Sequence, residues 1–127
     1  ARSITGATVV GGPGVISAPA VSALKLASAP RVAGDDRFAT AAEITRVFSA
    51  LVGTETMVVA SGLDANLVDA LAGGAMGRLT LLVGPTWLPD AAAVQLAAKL
   101  PGPVNVLGGP GAVTTATLRA IDVAANS

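Results

Sequence analysis

The sequence contains no histidine and no cysteine. Catalytic sites that pair a serine or cysteine nucleophile with histidine are therefore excluded within this chain, and so are zinc sites built from thiolates and imidazoles. Aromatic residues are also scarce: there are 2 Phe, 1 Trp and no Tyr, although 52% of the residues are hydrophobic. The core must therefore be filled by Ala, Val, Leu and Ile, which suits thin helices packed closely on a sheet.

Clustered charge and long apolar runs are missing as well. The 8 basic residues balance the 8 acidic ones and are scattered along the chain. This pattern argues against a nucleic-acid partner, because neutralising a phosphate backbone requires a clustered positive face. The longest apolar run, residues 67–83, is interrupted by Asp69 and Arg78 and does not reach the roughly 18 residues of a membrane span. We therefore expect no membrane insertion.

Strand-like and helix-like segments alternate along the 127 residues, a length that suits one compact domain. Four short runs rich in Val and Leu, each closed by Gly or Ser-Gly, predict strands buried on both faces of a parallel sheet. These runs lie at residues 8–10, 57–60, 80–83 and 104–107. Amphipathic stretches lie between them. The sequence therefore predicts an α/β fold, with a parallel sheet of about four strands flanked by helices.

Apolar residues at spacings of three and four predict helices. The main predicted helices cover residues 37–51, 68–76 and 90–100. The aspartates at 35–36 stand where the first of these needs an N-cap, and Gly53 stands where it should end. Asn66 and Asp69 form a capping-box-like pair at the start of the second helix.

An internal repeat links the two ends of the chain. The Gly-Gly-Pro-Gly stretch at residues 9–17 recurs 97 positions later, at residues 106–114, and both copies lead into a Ser- or Thr-capped helix. We therefore expect residues 1–30 to be the closing strand, loop and helix of a preceding repeat, and residues 31–127 to be one complete repeat. Such a pattern is typical of a tandem array.

The two Gly-Gly-Pro-Gly loops are candidate binding sites. Each lies between a strand and a helix, where backbone N–H groups and the helix dipole can receive an anion, and glycine permits close approach and a positive φ. The candidate contacts are Gly12, Gly14, Gly109 and Gly111. The dinucleotide-binding fingerprint is not met, because Ser17 and Thr114 stand where its third glycine belongs. A cofactor phosphate, an anionic polymer and a plain tight turn remain the alternatives.

Arg31 and Arg37 belong to the most highly charged stretch, which carries four charges in seven residues. Two arginines displayed near a helix start can contact a carboxylate or phosphate bidentately. In the alternative interpretation, an aspartate caps the helix, and Arg37 bonds to an acidic neighbour or to a carbonyl at the sheet edge. Both interpretations remain open.

A second polar cluster follows the predicted strand at residues 57–60. It places Ser61, Asp64, Asn66 and Asp69 near the carboxyl end of a strand, where open α/β sheets usually bind ligands. Two carboxylates suit acid/base chemistry or a cation, but every member of the cluster also suits turn formation or capping. Asp64 and Asn66 are candidate polymer contacts. We expect no metal site and no cofactor.

Four stretches together resemble the cell-wall-binding repeat 2 family over roughly residues 31–123. They are Arg-Val-Ala-Gly-Asp-Asp-Arg-Phe-Ala-Thr-Ala at 31–41, Val-Ala-Ser-Gly at 59–62 with Asp-Ala-Leu at 69–71, Leu-Leu-Val at 81–83 with Leu-Pro at 88–89, and Val-Leu-Gly-Gly at 106–109 with Gly-Ala-Val at 111–113. One departure is clear, because the family usually has Phe-Pro where this chain has Leu67-Val68.

The resemblance implies a toprim-like three-layer α/β unit, commonly present in three tandem copies around a pseudo-threefold axis. It also implies a secreted, non-catalytic module of the Gram-positive cell surface that anchors a protein non-covalently to an anionic wall polymer. The lack of aromatic platforms independently favours an anionic polymer over a neutral glycan. We expect weak single contacts reinforced by tandem repeats or by a homo-oligomer such as a trimer. An oligomerisation module and a small nucleotide-binding domain remain the alternatives.

Overall fold

The computed structural model describes residues 3–99 and 102–127. Helices and parallel strands alternate along the chain, as the sequence pattern predicts. The elements are β1 (Val9–Val10), α1 (Ala18–Ser22), β2 (Arg31–Val32), α2 (Arg37–Val52), β3 (Met57–Ser61), a 3-10 turn (Asp64–Asn66), α3 (Leu67–Ala75), β4 (Thr80–Val83), α4 (Asp90–Lys99), β5 (Val104–Leu107) and α5 (Thr115–Ala125). The predicted α/β fold class is confirmed.

The strands are divided between two parallel sheets. β3 lies at the centre of a three-stranded sheet with the order β4-β3-β5, and β1 pairs with β2 in a separate two-stranded sheet. The predicted strand at residues 8–10 therefore does not join the other three predicted strands. Its partner, Arg31–Val32, was not predicted as a strand because two residues carry no periodic pattern. The pairing is a tertiary contact between distant segments.

β3 is the most deeply buried element, since all five of its residues are buried. α3 packs against one face of β3. The other face contributes Met57 and Val59 to a buried cluster shared with α2, α4 and α5. The main buried cluster consists of Ala42, Met57, Val59, Leu81, Val83, Ala92, Leu96, Val113 and Ile121. This cluster contains no aromatic residue, and the alanines on α2 and α4 allow the helices to approach the sheet closely.

The helix ends follow the predicted capping at α2 but not at α3. Asp36 is the N-cap of α2, with its carboxylate accepting from the Ala39 N–H at 2.7 Å, and Gly53 ends the helix at φ 86°. Asn66 holds the N-cap position of α3, but its side chain makes no capping hydrogen bond in the described structure. The capping-box prediction is wrong because the 3-10 turn runs directly into α3, so that the Asn66 N–H donates to the Leu63 carbonyl at 2.9 Å.

The longest helix, α2, has 16 residues. Within residues 3–99 and 102–127, no helix has both the length and the apolar character needed to cross a membrane. The predicted end of the third helix at residues 100 and 101 lies outside the described residues.

Candidate functional site

A cleft of about 910 Å³ separates the first Gly-Gly-Pro-Gly loop from the start of α2; we call it the N-terminal cleft. Residues 11–15 line one side, and residues 34–37 line the other. Further lining comes from Thr40, Ala41 and Ile44 on α2 and from Leu82 on β4. The walls of the cleft are therefore formed jointly by the N-terminal segment and by the part of the chain that carries the three-stranded sheet.

Two of the predicted glycine contacts, Gly12 and Gly14, line this cleft. A Cβ atom built on either of them would meet nothing within 4 Å. Neither has a positive φ, because the glycine that supplies φ 118° to this loop is Gly11. The positive φ expected at positions 12 and 14 is therefore absent, and neither fold geometry nor packing explains why these two positions are glycine.

Arg37, the first residue of α2, lies between the N-terminal cleft and a second cavity of about 270 Å³. Its Nη1 donates to the Gly62 carbonyl at 2.9 Å and to the carboxylate of Asp64. The side chains of Arg37 and Asp64 remain 47% and 86% exposed. Arg37 thus bonds to an acidic neighbour and to a carbonyl at the sheet edge, as one of the two interpretations of the sequence predicts. It also borders the cleft.

Arg31 lies on the other side of the first loop and fastens it to β2. Its guanidinium donates to the carbonyl of Gly11 and, through Nη2, to the carbonyl of Ile16 at 2.8 Å. These bonds hold residues 11–16 next to the segment that precedes α2. Arg31 therefore helps to position the cleft wall.

Gly34 is a cleft residue that the sequence reasoning missed. Its N–H donates to Thr40 Oγ1 at 2.9 Å, which ties the entry segment to the first turn of α2. A Cβ atom at Gly34 would come within 2.4 Å of the Ala39 Cβ and 2.6 Å of the Ala39 carbonyl carbon. The glycine directly before the Asp-Asp pair was the available signal, because such a close approach of backbone to a helix admits only glycine.

Phe38 and Trp87 form an aromatic pair beside this site, with ring centroids 4.8 Å apart and planes inclined at 59°. Two glycines make room for the rings, since an added Cβ would come within 2.6 Å of Phe38 at Gly62 and 2.0 Å of Trp87 at Gly84. Gly62 and Gly84 follow β3 and β4 directly. The pair therefore anchors α2 to the carboxyl ends of β3 and β4, although Trp87 stays 45% exposed.

The remaining predicted contacts lie elsewhere. Gly109 lines a different cavity, of about 230 Å³, together with Val106 and Leu118, while Gly111 belongs to the same second loop. Asn66 lies in the turn before α3. The structure thus brings Gly12, Gly14 and Arg37 together, adds Asp64 and Arg31 through hydrogen bonds, and separates the other three.

The charged residues that line the N-terminal cleft are Asp35, Asp36 and Arg37, which sum to one net negative charge. The Asp36 carboxylate is engaged by the Ala39 N–H, whereas the Asp35 carboxylate makes no such capping bond in the described structure. Outside the cleft, a hydrogen bond from Arg46 lowers the pKa of the Glu43 carboxyl. In the described part of the chain, no group of three His, Cys, Asp or Glu residues is placed to hold a metal ion. The cleft thus offers glycine backbone and one partly free guanidinium, beside the carboxylate of Asp35.

Solved structures share this architecture. The chain is similar to Cwp8 from Clostridium difficile, with 25% identity and a TM-score of 0.74 over 95% of this chain. It is also similar in fold to Cwp6 from Clostridium difficile, with 20% identity and a TM-score of 0.81 over 94% of this chain. The match spans only 20% of the length of either protein. No curated protein matches the chain significantly.

The model of one protein family covers most of the chain. Cell wall binding domain 2 (CWB2) matches residues 31–118, a span that begins at Arg31 and includes all of the three-stranded sheet. The match confirms the resemblance drawn from the motifs and places the module at the cell wall or cell surface. The chain belongs to the cell wall binding domain 2 family, whose members act as cell-wall-associated binding modules.

Proposed function

We propose that this chain is a secreted, non-catalytic module that anchors a Gram-positive surface protein by holding an anionic wall polymer in the N-terminal cleft. The observation that carries this proposal is the placement of an open glycine loop opposite Arg37 across one cleft. Membership of the CWB2 family supports wall binding in general. The open backbone of the loop and the guanidinium of Arg37 support an anionic polymer as the ligand.

The loop supports the proposal because its glycines expose backbone without a structural need to do so. Gly12 and Gly14 have room for a side chain and ordinary backbone angles. A polymer that approaches the main chain closely would explain glycine at both positions, since any side chain would hold the polymer away. Backbone N–H groups at such a loop are good donors to phosphate or carboxylate oxygens.

Arg37 supplies the charge. Its recorded bonds in the described structure both use Nη1, which leaves Nε and Nη2 as donors for a ligand. A guanidinium presents these donors as a planar fork that matches the oxygens of phosphate and carboxylate groups. Because Nη1 is bonded to the Gly62 carbonyl and to the Asp64 carboxylate, the orientation of this fork is restrained before the ligand arrives.

Aromatic platforms for a neutral sugar are limited. Phe38 and Trp87 contact each other, and Phe38 also covers Gly62, so that one face of this small pair is already used. The carboxylate of Asp35 in the cleft lining predicts weak binding of an anionic polymer by a single module. Several copies along one polymer would raise the overall affinity through effective concentration.

Sedimentation with purified Gram-positive cell walls tests the proposal. The chain is mixed with walls before and after acid extraction removes the anionic secondary polymers, at low and moderate salt. We expect binding to intact walls that is lost after extraction and weakened by salt, since screening reduces ionic contacts. Equal binding to extracted walls would contradict the anionic ligand, and no binding to intact walls would contradict anchoring by this chain.

Arg37→Ala and Arg46→Ala form a matched pair for this assay. Both arginines lie on α2, both pair with a carboxylate, and their side chains are 47% and 59% exposed. Only Arg37 borders the cleft. We expect Arg37→Ala to reduce wall binding and its salt dependence, and Arg46→Ala to leave both unchanged.

An assembly module is the second candidate function, because the N-terminal segment that Arg31 holds within this chain is one that a neighbouring copy could exchange. The Arg31 guanidinium joins two segments of the chain rather than facing the cleft with free donors. If assembly is the main role, Arg31→Ala will alter the oligomeric state while Arg37→Ala leaves it unchanged. If anchoring is the main role, Arg37→Ala will reduce wall binding without a change in oligomeric state.

A further inference from the structure

The outer edge of β5 carries unpaired strand backbone in the described structure. β5 is the last strand of the order β4-β3-β5. In a parallel strand, the N–H and C=O of one residue point to one neighbouring strand, and those of the next residue point to the other. The Val58 N–H donates to the Leu79 carbonyl on the β4 side, so that Val59 faces β5. Since Val59 pairs with Val106, the N–H and C=O groups of Asn105 and Leu107 point toward β3. Those of Val104, Val106 and Gly108 therefore point to the open edge.

Residues 7–11 are the counterparts of residues 104–108 in the internal repeat, since the two stretches lie 97 positions apart. The partner of residues 7–11 therefore shows what the edge of β5 can bind. Three N–H groups of this segment donate to carbonyls of residues 28–32, at distances of 2.8 to 3.0 Å. The pairs are Ala7 to Ser28, Val9 to Pro30 and Gly11 to Val32. Their counterparts in the repeat are the three groups at the outer edge of β5.

The two loops that follow these strands have the same conformation. Gly11 has φ 118° and Gly108 has φ 108°. The Gly12 carbonyl accepts from the third and fourth residues after it at 3.0 Å, and the Gly109 carbonyl does so at 2.9 and 3.0 Å. The N-caps Ser17 and Thr114 are extended in both copies. The equivalence therefore extends from sequence to backbone geometry, and a partner that fits the first copy fits the second.

Arg31 adds a side-chain contact to the same interface. It donates to the carbonyls of Gly11 and Ile16, whose counterparts are Gly108 and Val113. The Asp69 carboxylate lies against Gly108, since its Oδ2 is 2.8 Å from the position of an added Cβ. An arginine that reached the Gly108 carbonyl would thus also approach the negative charge of Asp69. This charge favours a segment that carries arginine, such as residues 28–32, as the partner of the second loop.

We infer that the outer edge of β5 binds residues 28–32 of a second copy of this chain, in parallel register, with the incoming Arg31 on Gly108 and Val113. The equivalent register pairs Val106 with Arg31 and Asn105 with Pro30. In the second copy, residues 28–32 are already paired with residues 7–11 of the same chain. Docking therefore requires an exchange in which residues 7–11 are released from residues 28–32. The internal pairing has the higher effective concentration, so the wild-type chain exchanges only at high protein concentration. The contact is head-to-tail, and it produces rings or open chains.

Analytical ultracentrifugation of the full chain tests this inference with two proline variants. Val9→Pro deletes the N–H that bonds to Pro30, which weakens the internal pairing and frees residues 28–32. We expect it to raise the self-association constant at least tenfold over wild type. Adding Val106→Pro deletes the equivalent donor at the β5 edge, and we expect that change to return the protein to monomer. Self-association of the double variant equal to that of Val9→Pro would overturn the inference, as would a Val9→Pro chain that stays monomeric.

Cysteine cross-linking provides a second measurement that does not depend on proline. The chain has no cysteine of its own. Pro30→Cys and Asn105→Cys place one thiol each on exposed positions that the inferred register brings opposite each other. Mixing the two variants at high protein concentration under mild oxidation should give mainly the mixed disulfide dimer. Equal yields for Pro30→Cys mixed with Asn126→Cys, an exposed position outside the interface, would contradict the register.

Discussion

The guanidinium of Arg31 donates to the carbonyl of Gly11, a residue 20 positions earlier in the chain. Together with the bond to Ile16, this contact fastens the first glycine loop to β2 and so fixes one wall of the N-terminal cleft. Arg37 borders the same cleft from α2. The two arginines that the sequence presents as a pair therefore have different tasks: one holds the loop, and the other faces the space beside it.

Arg31→Ala tests whether Arg31 holds the first glycine loop against β2. Loss of two hydrogen bonds from a charged donor costs about 1.5–3 kcal/mol each when they are well formed, and about 1.4 kcal/mol corresponds to a tenfold change. We expect the amides of Val9 and Gly11 to exchange at least tenfold faster, as measured by hydrogen–deuterium exchange. Amides of β3 should keep their protection. Faster exchange throughout the chain would mean that Arg31 stabilises the whole fold instead.

Glycine substitutions separate the fold from the ligand contact. Gly34→Ala places a Cβ within 2.4 Å of Ala39, and such overpacking costs about 1–3 kcal/mol. We expect the Tm of Gly34→Ala to fall by several degrees in thermal denaturation. Gly12→Ala and Gly14→Ala add a Cβ to open space and should melt as wild type does.

The same three variants then enter the wall-binding assay. Reduced binding by Gly12→Ala and Gly14→Ala, at unchanged Tm, is the expected result. Full binding by both would contradict close approach of the polymer to this loop.

The two aspartates before α2 provide a matched pair for the helix cap. Asp36 accepts the Ala39 N–H, and loss of an N-cap costs about 1 kcal/mol. We therefore expect Asp36→Ala to lower the free energy of unfolding by about that amount in urea denaturation. Asp35→Ala should have a much smaller effect, because Asp36 is the residue at the N-cap position. Equal losses for the two variants would show that their effect is general charge removal.

Much of the fold could be predicted because it is encoded locally. The periodicity of residues 37–51 and the following Gly53 predict α2 within one residue of its observed end at Val52. The runs at 80–83 and 104–107 coincide with β4 and β5. Buried strands and amphipathic helices carry these patterns in their own residues.

The site could be predicted only in part, because its contacts are tertiary. The sequence identifies Arg31 as unusual, but its acceptors are backbone carbonyls 15 and 20 positions away, and any residue type can provide those. The two-residue β2 exists only through its pairing with β1. The sequence shows a glycine at position 34, but it does not show that a side chain there would clash with Ala39. That clash depends on the path of the chain into α2.

The most direct test of polymer binding in the N-terminal cleft is an NMR titration of the ¹⁵N-labelled chain with soluble fragments of anionic wall polymer. Amide resonances report weak binding residue by residue, and the second glycine loop serves as an internal control with the same conformation. We expect shifts at Gly12, Gly14 and Arg37 that saturate together and weaken with salt. The absence of shifts at these residues, or equal shifts at Gly109 and Gly111, would contradict binding in this cleft.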